Sequence, residues 1–321
     1  MLRRQVLRAG LAAGVAAPAL AQAEWPQRPV RLILPFAAGG GTDALSRVLA
    51  QRLAEATGQP FVIDNRGGAG GDLAILAGIA APPDGHTLVM GSDASHVRGP
   101  LLRADMPYDP DAMLRPVARL VETWSCIAIP AAGPAFSLAE YAAMARAAGQ
   151  PVSYGTAGPG TLSHAIAALY ALQGGFAAEH IPYRGASLAI QDLMAGRLGF
   201  QAPAVGGLIP LLASRAVRVL AVTGPQSQPA LPAPTMRQAG FPDLDIATWY
   251  GFFAPAGTPQ AVLARAGALL GAAMQAPGVA EKLETLGLLP AFAAGTAFSD
   301  AIAAQRAHWR GLVARTGLRL T

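Results

Sequence analysis

Two short stretches hold the residue types that could do chemistry. In "ILPFAAGGGTDALSRVLAQRL" (Ile33 to Leu53), an apolar run ends in Gly39, Gly40 and Gly41, followed by Thr42, Asp43 and a helix-like pattern. In "VSYGTAGPGTLSH" (Val152 to His164), Gly155, Gly158 and Gly160 alternate with Thr156, Thr161 and Ser163 before another helical pattern. At the carboxyl end of a parallel strand, backbone N–H groups of the next helix point outward unpaired and favour an anion. Glycine lets a ligand come close to the main chain and permits positive φ. Thr42, Thr156, Thr161 and Ser163 add hydroxyls. The chemistry on offer is recognition of a negatively charged group, twice in one chain.

Three uses compete for such a turn: a nucleotide phosphate, another anion, or a plain strand-to-helix connection. The nucleotide use fits poorly. "AAGGGTD" is neither G-x-x-x-x-G-K-[ST] nor G-x-G-x-x-G, and Lys282 is the chain's one lysine, although Asp64 lies where a ribose-binding acid is expected. A plain turn accounts well for one segment and less well for two in matching positions. Catalytic signatures are missing: there is no G-x-S-x-G and no H-E-x-x-H. His86, His96, His164, His180 and His308 are not paired at metal-ligand spacing, and Ser163 and His164 diverge as helix neighbours. Asp43 is read as completing the helix terminus, and Trp249–Tyr250 as core rather than cleft lining. The single cysteine, Cys126, excludes an intrachain disulfide and a cysteine-rich metal site.

The elements that must position these turns alternate. "VRLILPF" reads as a buried strand, Asp43 to Thr57 as a helix stopped by Gly58, and "FVID" as a second strand. "NRGGAGG" is a further glycine-rich turn into the helical "DLAILAGIAA", and "DGHTLVMG" holds a third strand. This β-α-β-α-β order implies a parallel sheet. The grammar restarts after Val121 with "SCIAIP", a helix capped by Ser137 and Glu140, "VSYG", "HIPY", "LGFQAP" and "VRVLAV"; after "TWYGFFAP" helices run to the C-terminus. Two α/β units result, with chain crossings expected near Val121–Ser125 and Ile246–Gly251. Two crossings make a hinge, and a hinge makes a cleft.

Composition narrows the class. The chain has 321 residues, 52% hydrophobic and 13% charged, enough for a sizeable core. The formal net charge of +5 falls to +2 once Arg3, Arg4 and Arg8 are set aside (21 basic against 19 acidic), so nothing points to nucleic acid. Those arginines open "MLRRQVLRAGLAAGVAAPALAQA", which has the basic start, short apolar middle and small-residue end of an export signal. Residues 1–23 are therefore expected to be removed, with cleavage after Ala21 or Ala23, by the twin-arginine route or by general secretion.

With these residues in view, the sequence resembles the Bug-type extracytoplasmic solute receptors, the substrate-binding proteins of tripartite tricarboxylate transporters. The resemblance runs in order through "WPQRPVRLILPFAAGGGTD", "VIDNRGGAGG", "PPDGHTLVMG", "PYDPDAMLRPVARL", "YGTAGPGTLSH", "IPYRGA", "VRVLAV", "TWYGFFAPAGTP" and "HWRGLVARTGL". It implies an α/β, two-lobed periplasmic-binding-protein fold of the type II Venus-flytrap kind, with the ligand cleft between lobes. Lobe 1 would comprise 24–122 plus 249–321, and lobe 2 123–248. It implies a monomeric periplasmic receptor without enzymatic activity or cofactor. Such a receptor would deliver a small organic acid to the large and small membrane subunits of a transporter. A sensor for a signalling partner and an exported hydrolase are the other readings considered. The resemblance also implies that a carboxylate is gripped by Phe36, Ala38, Gly39, Gly40, Thr42 and Asp43 from one side. Thr156, Ala157, Gly158, Thr161 and His164 would grip it from the other, with Ser92 and Asp93 as further contacts. The chain departs from the pattern at "GRLGFQAP", where Gly199 and Pro203 stand in place of acids common in relatives. That argues against an amino-acid ligand and leaves Gln201 to give a neutral hydrogen bond.

Overall fold

The computed structural model describes residues 25–103, 105–183, 185–224 and 231–318, so the export signal expected at 1–23 lies outside them. The first part of the chain runs β1 (Val30–Leu34), α1 (Gly41–Thr57), β2 (Phe61–Asn65), α2 (Asp72–Ile79) and β3 (Thr87–Ser92). A π-helical turn (Ala94–Arg98), α3 (Gly99–Leu102) and α4 (Pro110–Met113) lead to the long β4 (Leu114–Trp124). Then come β5 (Cys126–Pro130), α5 (Leu138–Ala148), β6 (Val152–Thr156), α6 (Leu162–Gly174) and β7 (Ala178–Pro182). These are followed by α7 (Ala186–Met194), β8 (Phe200–Gln201), α8 (Val205–Leu208) and β9 (Val217–Val222). The chain ends with β10 (Ala247–Pro255), α9 (Gln260–Met274), α10 (Val279–Thr285), β11 (Leu289–Ala294) and α11 (Thr296–Thr316).

The strands form two sheets, ordered β11-β4-β10-β3-β1-β2 and β7-β6-β8-β5-β9. Helices cover both, giving two α/β lobes and no closed barrel. Both sheets are mixed rather than purely parallel. β1 lies parallel to β2 and β3, but β10 is antiparallel to β3 and β4. β6 lies parallel to β7 and β8, while β5 is antiparallel to β8 and β9. The antiparallel members are the strands beside the crossings. β4 ends at Trp124 in the first sheet and β5 begins at Cys126 in the second, with Ser125 between them pinned by the Thr223 hydroxyl at 2.9 Å. The return enters the first sheet at Ala247, paired with Trp124.

β11 corrects the expectation of an all-helical tail. "LPAFAA" carries proline and alanine, which are poor strand formers. It survives as an edge strand on β4, with a register shift between Pro290 and Ala293. β4 also shows no clean alternation in sequence, because helices cover its sheet on both faces.

Local capping agrees with the composition. Gly58, Gly149 and Gly175 end α1, α5 and α6 in the left-handed conformation that costs glycine nothing. The Ser137 hydroxyl accepts from the Glu140 amide, and the Glu140 carboxylate accepts from the Phe136 N–H at 2.8 Å, which clamps the start of α5.

Candidate functional site

The first glycine turn joins β1 to α1. Residues Phe36 to Gly40 are exposed, and Gly39 has φ 89, a value that favours glycine. Gly40 is the N-cap and has no side chain to cap the helix, so the first amides of a 17-residue helix face outward from an exposed loop. Asp43 braces the turn from within. Its carboxylate accepts from the Gly39 N–H (3.0 Å), the Asn65 side-chain amide (3.1 Å) and Arg47 (2.9 and 3.1 Å). The Arg47 guanidinium lowers the Asp43 pKa against the opposing effect of burial. Asn65 also donates to the Phe36 carbonyl at 3.1 Å, and Thr42 is buried beneath the turn. Asp43 thus holds Gly39 in place, with its own oxygens occupied. The expected role of its neighbour Ala38 rests on position alone: it is exposed at the tip.

The second turn joins β6 to α6. Thr161 is the N-cap, and its hydroxyl accepts from the His164 amide at 3.4 Å and donates to the Gly158 carbonyl at 2.7 Å. Three further amides donate to side chains inside the turn: Ala157 to Ser163 Oγ (3.3 Å), Gly158 to Thr156 Oγ1 (3.1 Å) and Gly160 to His164 Nδ1 (3.3 Å). With Nδ1 accepting, a neutral His164 carries its proton on Nε2 and is a donor there. Its pKa falls to about 4, through burial first and then the neighbouring His180 and Arg98. The His164 and His180 rings stack with centroids 3.8 Å apart, and His180 Nε2 lies 2.6 Å from the fully buried Thr156 hydroxyl. Burial also lowers the His180 pKa.

Gln201 pairs in β8 with Gly155, one residue before Thr156. Register therefore sends its side chain to the sheet face opposite Thr156, where a Cβ on Gly155 would meet Leu198, Ala189 and Tyr183. Gln201 is 0% exposed, and neither its amide nitrogen nor its oxygen has a partner. Such an orphaned amide costs about 1–3 kcal/mol until something meets it.

The two turns are linked through Phe36, Ser92 and Asp93, which the sequence singled out, and through Tyr250, read there as core, and Arg98 and Thr248, which it passed over. Phe36 meets Tyr250 edge-on at 5.6 Å, and the Tyr250 hydroxyl pKa is raised to about 12 by burial and by the charge on Asp93. Asp93 is fully buried and holds Arg98 (Nε to Oδ2, 2.6 Å), and the Thr248 hydroxyl donates to it as well. Arg98 then donates to the Gly160 carbonyl at 2.9 Å. Ser92 is the start of this segment: its hydroxyl accepts from the Ala94 amide at 3.2 Å. The junction is tight, with a gap of about 20 Å³ between Gly70, Asp72, Ala94, Ser95 and Arg103 on one side and Pro159 to Thr161 on the other. The neighbours Trp249 and Tyr250 part company. Trp249 is core, its Nε1 donating to Gln305 at 2.6 Å, while Tyr250 turns to Phe36. Alternation along β10 is the signal that could have separated them.

Residues 45–318 match the model of the tripartite tricarboxylate transporter family receptor. The chain belongs to this family. The Bordetella pertussis protein BugT is 30% identical over 310 residues, spanning 96% of this chain and 95% of BugT. Among solved structures, R. palustris Rpa4515 with adipate has TM-score 0.83 and 30% identity, covering 92% of this chain and 99% of that one. MatC from Rhodopseudomonas palustris with bound malate has TM-score 0.80 and 29% identity, covering 90% and 100%. The fold is that of periplasmic binding proteins, and the family is one of substrate-binding receptors rather than enzymes.

Proposed function

We propose that this receptor works outside the cytoplasm, binds a small organic acid between its two lobes and delivers it to transporter membrane subunits. The observation that carries the reading is the first turn: exposed glycines over an uncapped helix N-terminus, held rigid by Asp43 and Asn65. Fixed donors of this kind suit a carboxylate, and each charge-assisted hydrogen bond contributes about 1.5–3 kcal/mol. Phe36, Ala38, Gly39, Gly40 and Thr42 form one side of the grip, with Asp43 as its brace. Thr156, Ala157, Gly158, Thr161 and His164 form the other, where the His164 Nε2–H is the donor that remains. Ser92 and Asp93 position Arg98 between them. The lobes are close to the expected 24–122 plus 249–321 and 123–248, with Thr123, Trp124, Ala247 and Thr248 belonging to the first sheet, and the N-terminal 23 residues are the export signal.

The adipate and malate held by two relatives support a dicarboxylate or similar acid. No carboxylate stands at Gly199 or Pro203 to pair with an ammonium group, so amino acids are disfavoured. The test is a thermal-shift and calorimetric panel on the mature protein: malate, adipate, citrate, benzoate, glutamate and ATP. Saturable binding confined to plain acids supports the reading. Binding of glutamate or ATP alone defeats it.

A further inference from the structure

Besides the Arg98–Gly160 hydrogen bond, the two lobes touch where two glycines meet backbone to backbone. Gly206 lies in α8 of the second lobe, and Gly287 follows α10 in the first. A Cβ on Gly206 would stand 2.3 Å from the Leu286 carbonyl oxygen, and a Cβ on Gly287 would stand 2.4 Å from the Gly206 Cα. Cβ atoms essentially never come within 3.0 Å of such neighbours. Gly206 lies outside the left-handed region, so close approach, not conformation, is what calls for glycine there.

Both sides of this contact are main chain that is held in place. In the second lobe, α8 is anchored by Val205 and Leu208, each fully buried. The segment before it is tied to the chain crossing, with Ala204 bridged to Ser125 and the Cys126 N–H donating to the Pro203 carbonyl at 3.0 Å. In the first lobe, the Gly287 carbonyl accepts from the Thr123 hydroxyl at 2.9 Å. The Leu286 and Leu288 amides both donate to the Leu283 carbonyl, and Leu288 is buried. Close-packed backbone of this kind passes strain on instead of absorbing it.

The contact lies on the cleft side of the hinge. A Cβ on Gly41, the first residue of α1 after the first glycine turn, would meet the same Leu286 oxygen at 3.7 Å. α8 starts beyond the carboxyl end of β8, which runs parallel to β6, the strand that ends in the second turn. Thickening this contact therefore pushes apart the ends of the lobes that carry the two turns. The gap beside Gly160 is about 20 Å³, room for about one water, so an organic acid reaches it only when the lobes part.

We propose that Gly206 and Gly287 form the bearing on which the lobes close. Bare Cα atoms let α8 seat against the α10–β11 connection, and a side chain at either position holds the lobes apart. The proposal rests on the reading that an acid is bound between the lobes, and it adds the residues that set how far they close. Gly207, next on the same helix, is the control: a Cβ there meets only the Ile190 Cδ1, at 3.6 Å.

The experiment reads the interlobe distance of the mature protein by double electron–electron resonance. Nitroxides are placed on Leu73→Cys in the first lobe and Leu188→Cys in the second, positions 53% and 49% exposed, while the native Cys126 is buried and stays unlabelled. Distances are read without ligand and with malate or adipate as probes. A shorter-distance population is expected in the parent and in Gly207→Ala. Gly206→Ala should lose it and keep only the longer distances. Gly287→Asn should lose it too, because asparagine accepts the left-handed backbone at φ 66 and its Cβ wedges the contact from the other lobe. That second variant decides the matter if Gly206→Ala does not fold by circular dichroism. Distributions in the folded wedge variants that match the parent overturn the proposal, as does an equal loss in Gly207→Ala. If neither wedge variant folds, the contact is core and not a bearing, and the proposal falls. Failure of the organic-acid reading shows separately, as a calorimetric panel with no binder while the shorter population persists in the parent.

Discussion

Arg98 of the first lobe donates to the backbone carbonyl of Gly160 at 2.9 Å, so one side chain ties the second glycine turn to the opposite sheet. The arginine is 1% exposed, pairs with the fully buried Asp93 and lies 5.7 Å from the Trp309 ring. Replacing it by methionine strands a buried carboxylate, which costs about 3–5 kcal/mol. Arg98→Met should therefore lower the urea midpoint sharply, and Asp93→Leu added to it should restore most of the loss. If the double variant is no better than the single, the arginine acts through Gly160 and packing, not through the ion pair.

The two glycine turns should differ in how they tolerate change. A Cβ on Gly40 meets only the Ala37 carbonyl at 3.9 Å, and the residue is an extended N-cap at φ −79, so Gly40→Val should fold normally. Its side chain would stand where a ligand must approach the amides of α1. Thr156→Ala removes one hydroxyl that already shares itself among Gly158 and His180. Both variants should weaken binding of whichever organic acid the panel identifies, and Gly40→Val should weaken it more, by tenfold or beyond. Calorimetry on the two variants gives the order, and an unchanged affinity in Gly40→Val removes the first turn from the site.

The positions of these turns were legible because local pattern decides them. β1 (VRLIL) is a short, nearly apolar run, β6 (VSYGT) leads straight into its glycine turn, and the helices after them end at Gly58 and Gly175. What long-range packing decides was not legible. β11 is a strand only because β4 offers it an edge, and "LPAFAA" has no periodicity of its own. His180, 24 residues from Thr156, meets it only through the parallel pairing of β6 and β7. Arg98 reads as an ordinary surface arginine until the π-helical turn carries it to Asp93 and Gly160. Gln201 was singled out because "GRLGFQAP" departs from the family pattern, but its complete burial with both amide atoms unmet is a property of the folded sheet.

That orphaned amide bears on stability. Replacing it with a similar apolar shape removes a buried polar group that has no partner, which is neutral or stabilising. Gln201→Leu should raise the unfolding midpoint of the ligand-free protein by an amount on the order of 1 kcal/mol. A variant that loses stability would mean the amide is already met in solution, by water or by a neighbour.

Stability should fall on mild acidification because burial favours the neutral form of three histidines. Burial lowers the His164 pKa to about 4 and the His96 pKa to about 3, and it lowers His180 as well. In the unfolded chain each titrates near 6.5. Between the unfolded and folded values the unfolded state binds more protons, so stability is full above about pH 6.5 and is lost as pH drops below it. The loss for His164 stops near its folded value, about 4. Each such histidine contributes a slope of up to about 1.4 kcal/mol per pH unit within its window. Asp43 acts elsewhere: its pKa is lowered, so its contribution holds above the unfolded carboxylate value near 3.9 and fades only below it. Urea unfolding at pH 7.5, 6.5, 5.5 and 4.5 should therefore show a decline that begins before any carboxylate titrates, and His164→Asn should flatten it. A curve level from pH 7.5 to 5 would mean these rings take up protons in the folded state as easily as in the unfolded one, and that the Thr156–His180–His164 stack opens to water.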